Sequence, residues 1–294
     1  MSKNIIFKGA ATALITPMKD GKIDYTALSN IIELQIASGI DALVVGGTTG
    51  EIATLCDEER QELYSFAKEI VAGRSKLIFG TGTNDTKAVI RHTRVAEKIG
   101  CDGVLVVTPY YNKGTHRGVV CHYEYIAAET DLPIILYNVP SRTGVNLTMG
   151  QLEELARWKN IVAIKEATDS ADRLTEIAGL KDELALYAGN DSQIYLALSV
   201  GGMGVISVAS NIYPEIIMRI CHSYFENDIA TSLATQVRVL NFVKALFCET
   251  NPSPIKYAMS KAGLCEDELR LPLLPPTEEN KRLIEKEMKA LFHK

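Results

Sequence analysis

Val162-Ala163-Ile164-Lys165-Glu166-Ala167 is a short apolar run interrupted near its end by two charges. Its hydrophobicity is continuous rather than alternating. A half-solvated strand would alternate, so this run reads as a strand buried on both faces, as in a parallel sheet. A lysine at the end of such a strand must be paired, neutral or useful. Burial disfavours the charged form of a lysine, and a neutral amine attacks carbonyls and forms Schiff bases. The plain alternative is a lysine that snorkels to the surface or pairs with Glu166.

Seven more runs share this character: Ala10–Ile15, Ala42–Val45, Leu77–Phe79, Gly103–Val107, Pro133–Tyr137, Leu184–Ala188 and Gly204–Val208. Val162–Lys165 is the sixth of the eight in chain order. Helical patterns fill the gaps. Leu28, Ile31 and Ile32 follow Asp24, and Leu63, Phe66, Ala67, Ile70 and Val71 keep helical spacing after Asp57-Glu58-Glu59. Acidic residues in that first turn suit the helix dipole. Asn84 is a candidate cap for a helix carrying Ala88, Val95, Ala96 and Ile99, and Thr148-x-x-Gln151 is a candidate capping box. Eight strand–helix units predict an α/β fold of the (β/α)8 TIM-barrel type over residues 1–226. A doubly wound open sheet is the alternative, but no G-x-G-x-x-G follows the first run.

From residue 227 to 294 no strands are expected, only a small helical region. Ile229, Leu233, Val237, Leu240 and Phe247 mark one helix, and Pro252 and Pro254 break the chain. A second helical stretch begins at Ile255–Met259, and a terminal helix carries Leu283, Ile284, Met288 and Leu291. These stripes are expected to pack on the barrel or on a neighbouring subunit.

Composition narrows the function. The 294 residues are 47% hydrophobic and 23% charged, with a formal net charge of -5. This is ordinary globular composition without a basic stripe for nucleic acid. The amino terminus has no h-region of signal-peptide length, and no apolar stretch reaches the about 18 residues of a membrane helix. Six scattered cysteines with no C-x-x-C pair read as reduced, mostly buried thiols of a cytoplasmic protein. Cys56 reads as either a reactive thiol or, more simply, a buried one. His92, His116, His122, His222 and His293 fall in no metal-ligand spacing, so neither metal nor cofactor is expected.

In a (β/α)8 barrel the active site lies at the C-terminal ends of the strands. Those ends carry Gly46-Gly47-Thr48-Thr49-Gly50-Glu51, Thr108-Pro109-Tyr110-Tyr111-Asn112, Tyr137 through Gly144, Lys165 and Gly189-Asn190-Asp191. Each has a bland reading: a tight loop, packing tyrosines, a surface arginine. Together they suit one chemistry. Glycines and two hydroxyls cradle a carboxylate, a phenol shuttles protons beside an imine, and the Arg142 guanidinium holds a second carboxylate in two places.

Gly47-Thr48-Thr49-Gly50-Glu51, Thr108-Pro109-Tyr110-Tyr111-Asn112, Tyr137-Asn138-Val139-Pro140-Ser141-Arg142-Thr143-Gly144 and Lys165-Glu166-Ala167-Thr168 resemble the dihydrodipicolinate (4-hydroxy-tetrahydrodipicolinate) synthase family. This family lies within the class I pyruvate-dependent aldolase and N-acetylneuraminate lyase superfamily. The likeness covers the chain in order. It implies that Lys165 forms an imine with pyruvate and that Tyr137 donates and accepts protons. Thr48 would link Tyr137 to Tyr111 in a relay, with Tyr111 acting in a neighbouring subunit's site. Thr49 would hold the pyruvate carboxylate and Arg142 that of aspartate semialdehyde. Gly189 and the carbonyl of Ile206 would line the pocket. The product would be the first committed intermediate toward diaminopimelate and lysine. A homo-oligomer, as a dimer of dimers, is implied as well.

Two alternatives are weighed. N-acetylneuraminate lyases and 2-keto-3-deoxy-sugar-acid aldolases share the barrel, lysine and tyrosine, but generally lack an arginine at position 142. A non-catalytic keto-acid-binding barrel would be expected to have lost Lys165 or Tyr137. The chain departs from lysine-inhibited members, which carry histidine near 57 or 60 and glutamate near 88. Here those places hold Asp57, Arg60 and Ala88, while Asn84 and Tyr110 are kept. Weak or absent feedback inhibition by lysine is therefore expected.

Overall fold

A computed structural model of the chain describes residues 5–292, so His293 lies outside the described residues. Eight parallel strands close on themselves: β1 (Gly9–Ala13), β2 (Ala42–Val45), β3 (Lys76–Gly80), β4 (Gly103–Val107), β5 (Ile134–Asn138), β6 (Ile161–Glu166), β7 (Ala185–Ala188) and β8 (Gly204–Ser207). Each apolar run expected from the sequence is one of these strands. Their continuous hydrophobicity has the anticipated cause, since both faces are buried.

Eight helices surround the barrel: α1 (Tyr25–Ala37), α2 (Asp57–Val71), α3 (Thr86–Ile99), α4 (His116–Ala128), α5 (Met149–Leu155), α6 (Ala171–Ala178), α7 (Ile194–Ser199) and α8 (Pro214–Phe225). Local chemistry starts them where the sequence indicates. The Asp24 carboxylate accepts from the Ala27 N–H at 3.0 Å, and Thr148 and Gln151 form the reciprocal capping box before α5. One cap differs from expectation. Asp85, not Asn84, caps α3, accepting from the Lys87 N–H at 3.0 Å. Asn84 sits one residue too early, and its carbonyl accepts from Asn112 Nδ2 at 2.9 Å instead.

Side chains alternate across each strand. Ile164 and Leu136 face the helices, whereas Ala163, Lys165, Ile135 and Tyr137 belong to the barrel interior. The interior is narrow, and small residues such as Ala11, Ala42 and Ala185 fill part of it. Phe7 and Tyr187 close its floor, their rings stacked at 4.3 Å, with the Tyr187 hydroxyl donating to the Phe7 carbonyl at 2.5 Å.

Three further helices follow: α9 (Ile229–Ala245), α10 (Ser253–Lys261) and α11 (Glu278–Ala290). α9 packs on α8, and α11 on α9 and α10. The stripe on α9 does not pack on the barrel, the first of the two places expected for it. The barrel-facing side of the helix is Ser232, Gln236, Val239, Phe242 and Val243, while Ile229, Leu233 and Val237 are exposed, as is Phe247 beyond its end. α11 does bury Ile284.

The cysteines also differ from the reading of mostly buried thiols. Cys101 and Cys221 are buried, three are half-buried, and Cys56 is exposed where the chain turns into α2. No helix among the described residues is long and apolar enough to cross a membrane.

Candidate active site

Lys165 and Tyr137 are register partners on β6 and β5. Alternation then sends both side chains to the same interior face, at the C-terminal end of the barrel. Lys165 is only 5% exposed, which removes the snorkelling reading. Glu166, one residue on, faces the opposite side. Its carboxylate accepts from Asn138 Nδ2 at 2.9 Å, and Arg173 Nε lies 3.5 Å away. Burial raises the Glu166 pKa, with Asn138 and Arg173 pulling against it. Glu166 is thus engaged away from Lys165. The Lys165 Nζ instead lies over the Tyr137 ring, 4.4 Å from its centre.

Above this pair opens a cavity of about 320 Å³, lined by Thr49, Tyr137, Arg142, Lys165, Gly189 and Asn251 among others. Five residues anticipated from sequence therefore converge on it. Gly189 is required by closeness, since a Cβ there would come 2.8 Å from the Glu166 carbonyl oxygen.

The loop after β2 supplies Thr48 and Thr49. It leaves the strand through Gly46, whose φ of +73° favours glycine and where a Cβ would meet the Tyr64 ring at 2.8 Å. Tyr64 stacks on Phe79 and donates to the Gly80 carbonyl at 2.6 Å, and burial pushes its pKa up to about 12. Thr49 is buried, and Thr48 is half-buried, lining with Tyr137 a small void of about 40 Å³.

Three anticipated residues stand apart from the lining of the larger cavity: Thr48, which lines the small void instead, Ile206 and Tyr111. Ile206 is buried in the barrel interior, and Val208, two residues further on, lines the cavity. Tyr111 is 89% exposed, with a φ of +71°, and lines neither this cavity nor its neighbour. That neighbour, of about 310 Å³ and mostly apolar, shares Arg142 and Asn251 with the first and adds Thr48, Tyr110 and Pro272.

Sequence reading placed Glu51 and Asp191 at strand ends without giving them a role, and missed Asn251, Lys256 and Arg270, which brace the site from the tail. Asp191 is buried, and its Oδ2 accepts from the backbone N–H groups of Val208 at 2.9 Å and Ala209 at 3.2 Å, tying β7 to β8. Burial raises its pKa. Lys256 of α10 is fully buried and ion-paired with Glu51, itself at a positive φ of 52° in the Thr48–Thr49 loop. Burial lowers the Lys256 pKa, and the Glu51 charge opposes the shift. Lys256 also donates to the Glu268 carbonyl at 2.8 Å, and Glu51 accepts from the Arg270 N–H at 3.0 Å. Arg270 forks onto the Glu59 carboxylate at the start of α2. Asn251 reaches Thr49 and Arg142 together. No short motif marks these tail residues; the one available signal was polar side chains beside prolines after an apolar helix.

A buried lysine beside a tyrosine at the C-terminal end of a (β/α)8 barrel is the arrangement of a class I, lysine-centred lyase. Comparison with known proteins narrows the class. Residues 6–291 match the model of the dihydrodipicolinate synthetase family. The 4-hydroxy-tetrahydrodipicolinate synthase of Alkaliphilus oremlandii is 45% identical over 285 residues, covering 97% of this chain and 98% of the relative. The crystal structure of dihydrodipicolinate synthase from Thermotoga maritima superposes with a TM-score of 0.96 at 41% identity, covering 98% of this chain and 99% of that one. The chloride-inhibited enzyme from Acinetobacter baumannii, solved with pyruvate, gives 0.94 at 37% identity, covering 97% and 98%. The chain belongs to the dihydrodipicolinate synthetase family.

Proposed function

We infer that the chain condenses pyruvate with L-aspartate 4-semialdehyde through a Schiff base on Lys165. The observation that carries this reading is the convergence of Lys165, Tyr137 and Arg142 on one cavity, in a family member matched over nearly its whole length. The Lys165 amine attacks the ketone carbon of pyruvate, and water leaves as the imine forms. Loss of a methyl proton gives an enamine, which attacks the aldehyde carbon. The semialdehyde's own amino group then displaces Lys165, closing the ring as 4-hydroxy-tetrahydrodipicolinate and freeing the enzyme. No cofactor enters these steps.

Tyr137, beside the Lys165 amine, moves the protons of imine formation. Thr48 hands them to Tyr111, Thr49 holds the pyruvate carboxylate, and Arg142 holds that of the semialdehyde. Gly189 and the Ile206 carbonyl complete the wall. A sugar-acid lyase has no use for a guanidinium at position 142, and a binding-only barrel none for an intact lysine–tyrosine pair.

Tyr111 acts in a second copy of the chain. Its exposure, its left-handed backbone and the apolar cavity near its own site support a dimer at least. The outward stripe Ile229, Leu233 and Val237 suits the second contact of a dimer of dimers. Of the described residues, those up to 226 form the catalytic barrel, and the tail from 227 onward braces it rather than standing as a separate unit. Cysteines without disulfides support a cytoplasmic location.

Lysine inhibits weakly or not at all. Asp57 is held by His92 at 2.9 Å, Arg60 is buried, and Ala88 carries no charge to receive an ammonium. A coupled assay decides the activity. Turnover of pyruvate with aspartate semialdehyde is expected, without N-acetylneuraminate cleavage. The reverse result would replace the synthase with a sugar-acid lyase.

A further inference from the structure

Asn251 is 5% exposed and sits between α9 and α10, in the tail rather than the barrel. Its Nδ2 donates to Thr49 Oγ1 at 3.0 Å, and its backbone carbonyl accepts from Arg142 Nη2 at 3.0 Å. One residue therefore touches both groups assigned to substrate carboxylates. We propose that Asn251 is a positioning residue that orients Thr49 and Arg142 jointly, coupling the two carboxylate subsites. The proposal rests on the assignment of those two residues above.

The direction of one hydrogen bond decides what Thr49 can offer a ligand. A hydroxyl is one donor and two acceptor sites. Because Asn251 donates to Thr49, the Thr49 oxygen is occupied as an acceptor and its proton stays free to donate to an anion in the cavity. The opposite amide orientation would consume that proton. It would also leave the amide nitrogen buried without an acceptor, whereas the present orientation leaves only Oδ1 unpartnered. For Arg142, the Asn251 carbonyl takes one guanidinium nitrogen and leaves the others to fork onto a carboxylate.

The segment bearing Asn251 is held to the same loop at a second point. Lys256, five residues on, is ion-paired with Glu51, two residues after Thr49. The Asn251 carbonyl is thereby fixed by the side chain below it and the ion pair beyond it. Loss of the Thr49 contact is then felt at Arg142.

The test is a double-mutant cycle read on both substrates. Half-saturation of borohydride trapping by pyruvate reports the first subsite alone, and the KM for aspartate semialdehyde reports the second. Asn251→Ala should raise both roughly tenfold, the scale of one hydrogen bond to a charged system, with a smaller change in kcat. Asn251→Asp, nearly isosteric, should raise them further, since it accepts the Thr49 proton and places a negative charge beside two carboxylates. It carries the test should Asn251→Ala not fold. In a Thr49→Val background, Asn251→Ala should add nothing to the pyruvate half-saturation. Additive effects would overturn the coupling. So would a Thr49→Val penalty with Asn251 variants unchanged, which leaves the Thr49 assignment standing. A silent Thr49→Val would remove that assignment and the coupling together.

Discussion

Tyr137 and Lys165 are paired in register on adjacent strands, with the amine 4.4 Å from the centre of the phenol ring. Two β-strands, rather than two loops, fix this relationship, and strand-borne groups are held more tightly than loop-borne ones. The pair therefore meets its substrate already aligned.

Removing either member should have different consequences. Lys165→Ala should lose the borohydride-trapped pyruvate adduct completely by mass spectrometry. Tyr137→Phe should still be trapped, but slowly, with kcat reduced about 10²–10⁴-fold, the usual worth of general acid–base help. An adduct in Lys165→Ala would move the nucleophile elsewhere.

Tyr111 is exposed and lines neither cavity of its own chain. Chains carrying Lys165→Ala mixed with chains carrying Tyr111→Phe should recover part of the lost activity after subunit exchange. Verified exchange with no recovery would rule out a shared site.

The buried Lys256–Glu51 pair should be worth more whole than halved. Lys256→Ala leaves a carboxylate buried without its cation and should cost about 3–5 kcal/mol of stability by urea unfolding. Lys256→Met combined with Glu51→Gln should cost less than Lys256→Ala alone. A near-neutral Lys256→Ala would mean that water enters to solvate Glu51.

His122 gives the stability a pH dependence of defined sign. Burial holds its pKa down at about 4, against an ordinary 6.5, with Thr86 Oγ1 at 2.9 Å from Nδ1. Between those values the unfolded chain binds a proton that the folded chain refuses. Stability is therefore lost as pH falls from 6.5 toward 4, by about 3 kcal/mol in full. His222, raised by Asp41, works in the opposite sense. The readout is thus the difference between the unmodified chain and His122→Gln, whose unfolding midpoint should fall less on acidification. Parallel pH profiles would contradict the assignment.

Added lysine at millimolar concentrations should leave the synthase rate nearly unchanged. Strong inhibition would show that Ala88 and Arg60 do not prevent lysine from binding.

The barrel was legible because its signal is repeated. Eight apolar runs spaced by helical patterns leave few topologies, and Lys165, Tyr137, Thr49, Arg142 and Gly189 all fall at strand ends or just beyond them. The tail was less legible. Ile229, Leu233 and Val237 form a stripe that looks like a core face, yet α9 packs on the barrel through Ser232, Gln236 and Phe242. Hydrophobic spacing identifies a face without saying what covers it. Asn251 and Lys256 escaped for a related reason. Their partners lie 202 and 205 positions earlier in the chain, at Thr49 and Glu51, and no local pattern encodes such a contact.

The floor formed by Phe7 and Tyr187 has a kinetic consequence. With Phe7 and Tyr187 stacked across the floor, reactants approach Lys165 through the cavity above it. Whatever reacts with Lys165 must arrive first, and the second reactant stands in its path. An excess of aspartate semialdehyde over pyruvate should therefore jam the entrance, as substrate inhibition that added pyruvate relieves. Initial-rate plots without such relief would mean that the two reactants do not queue.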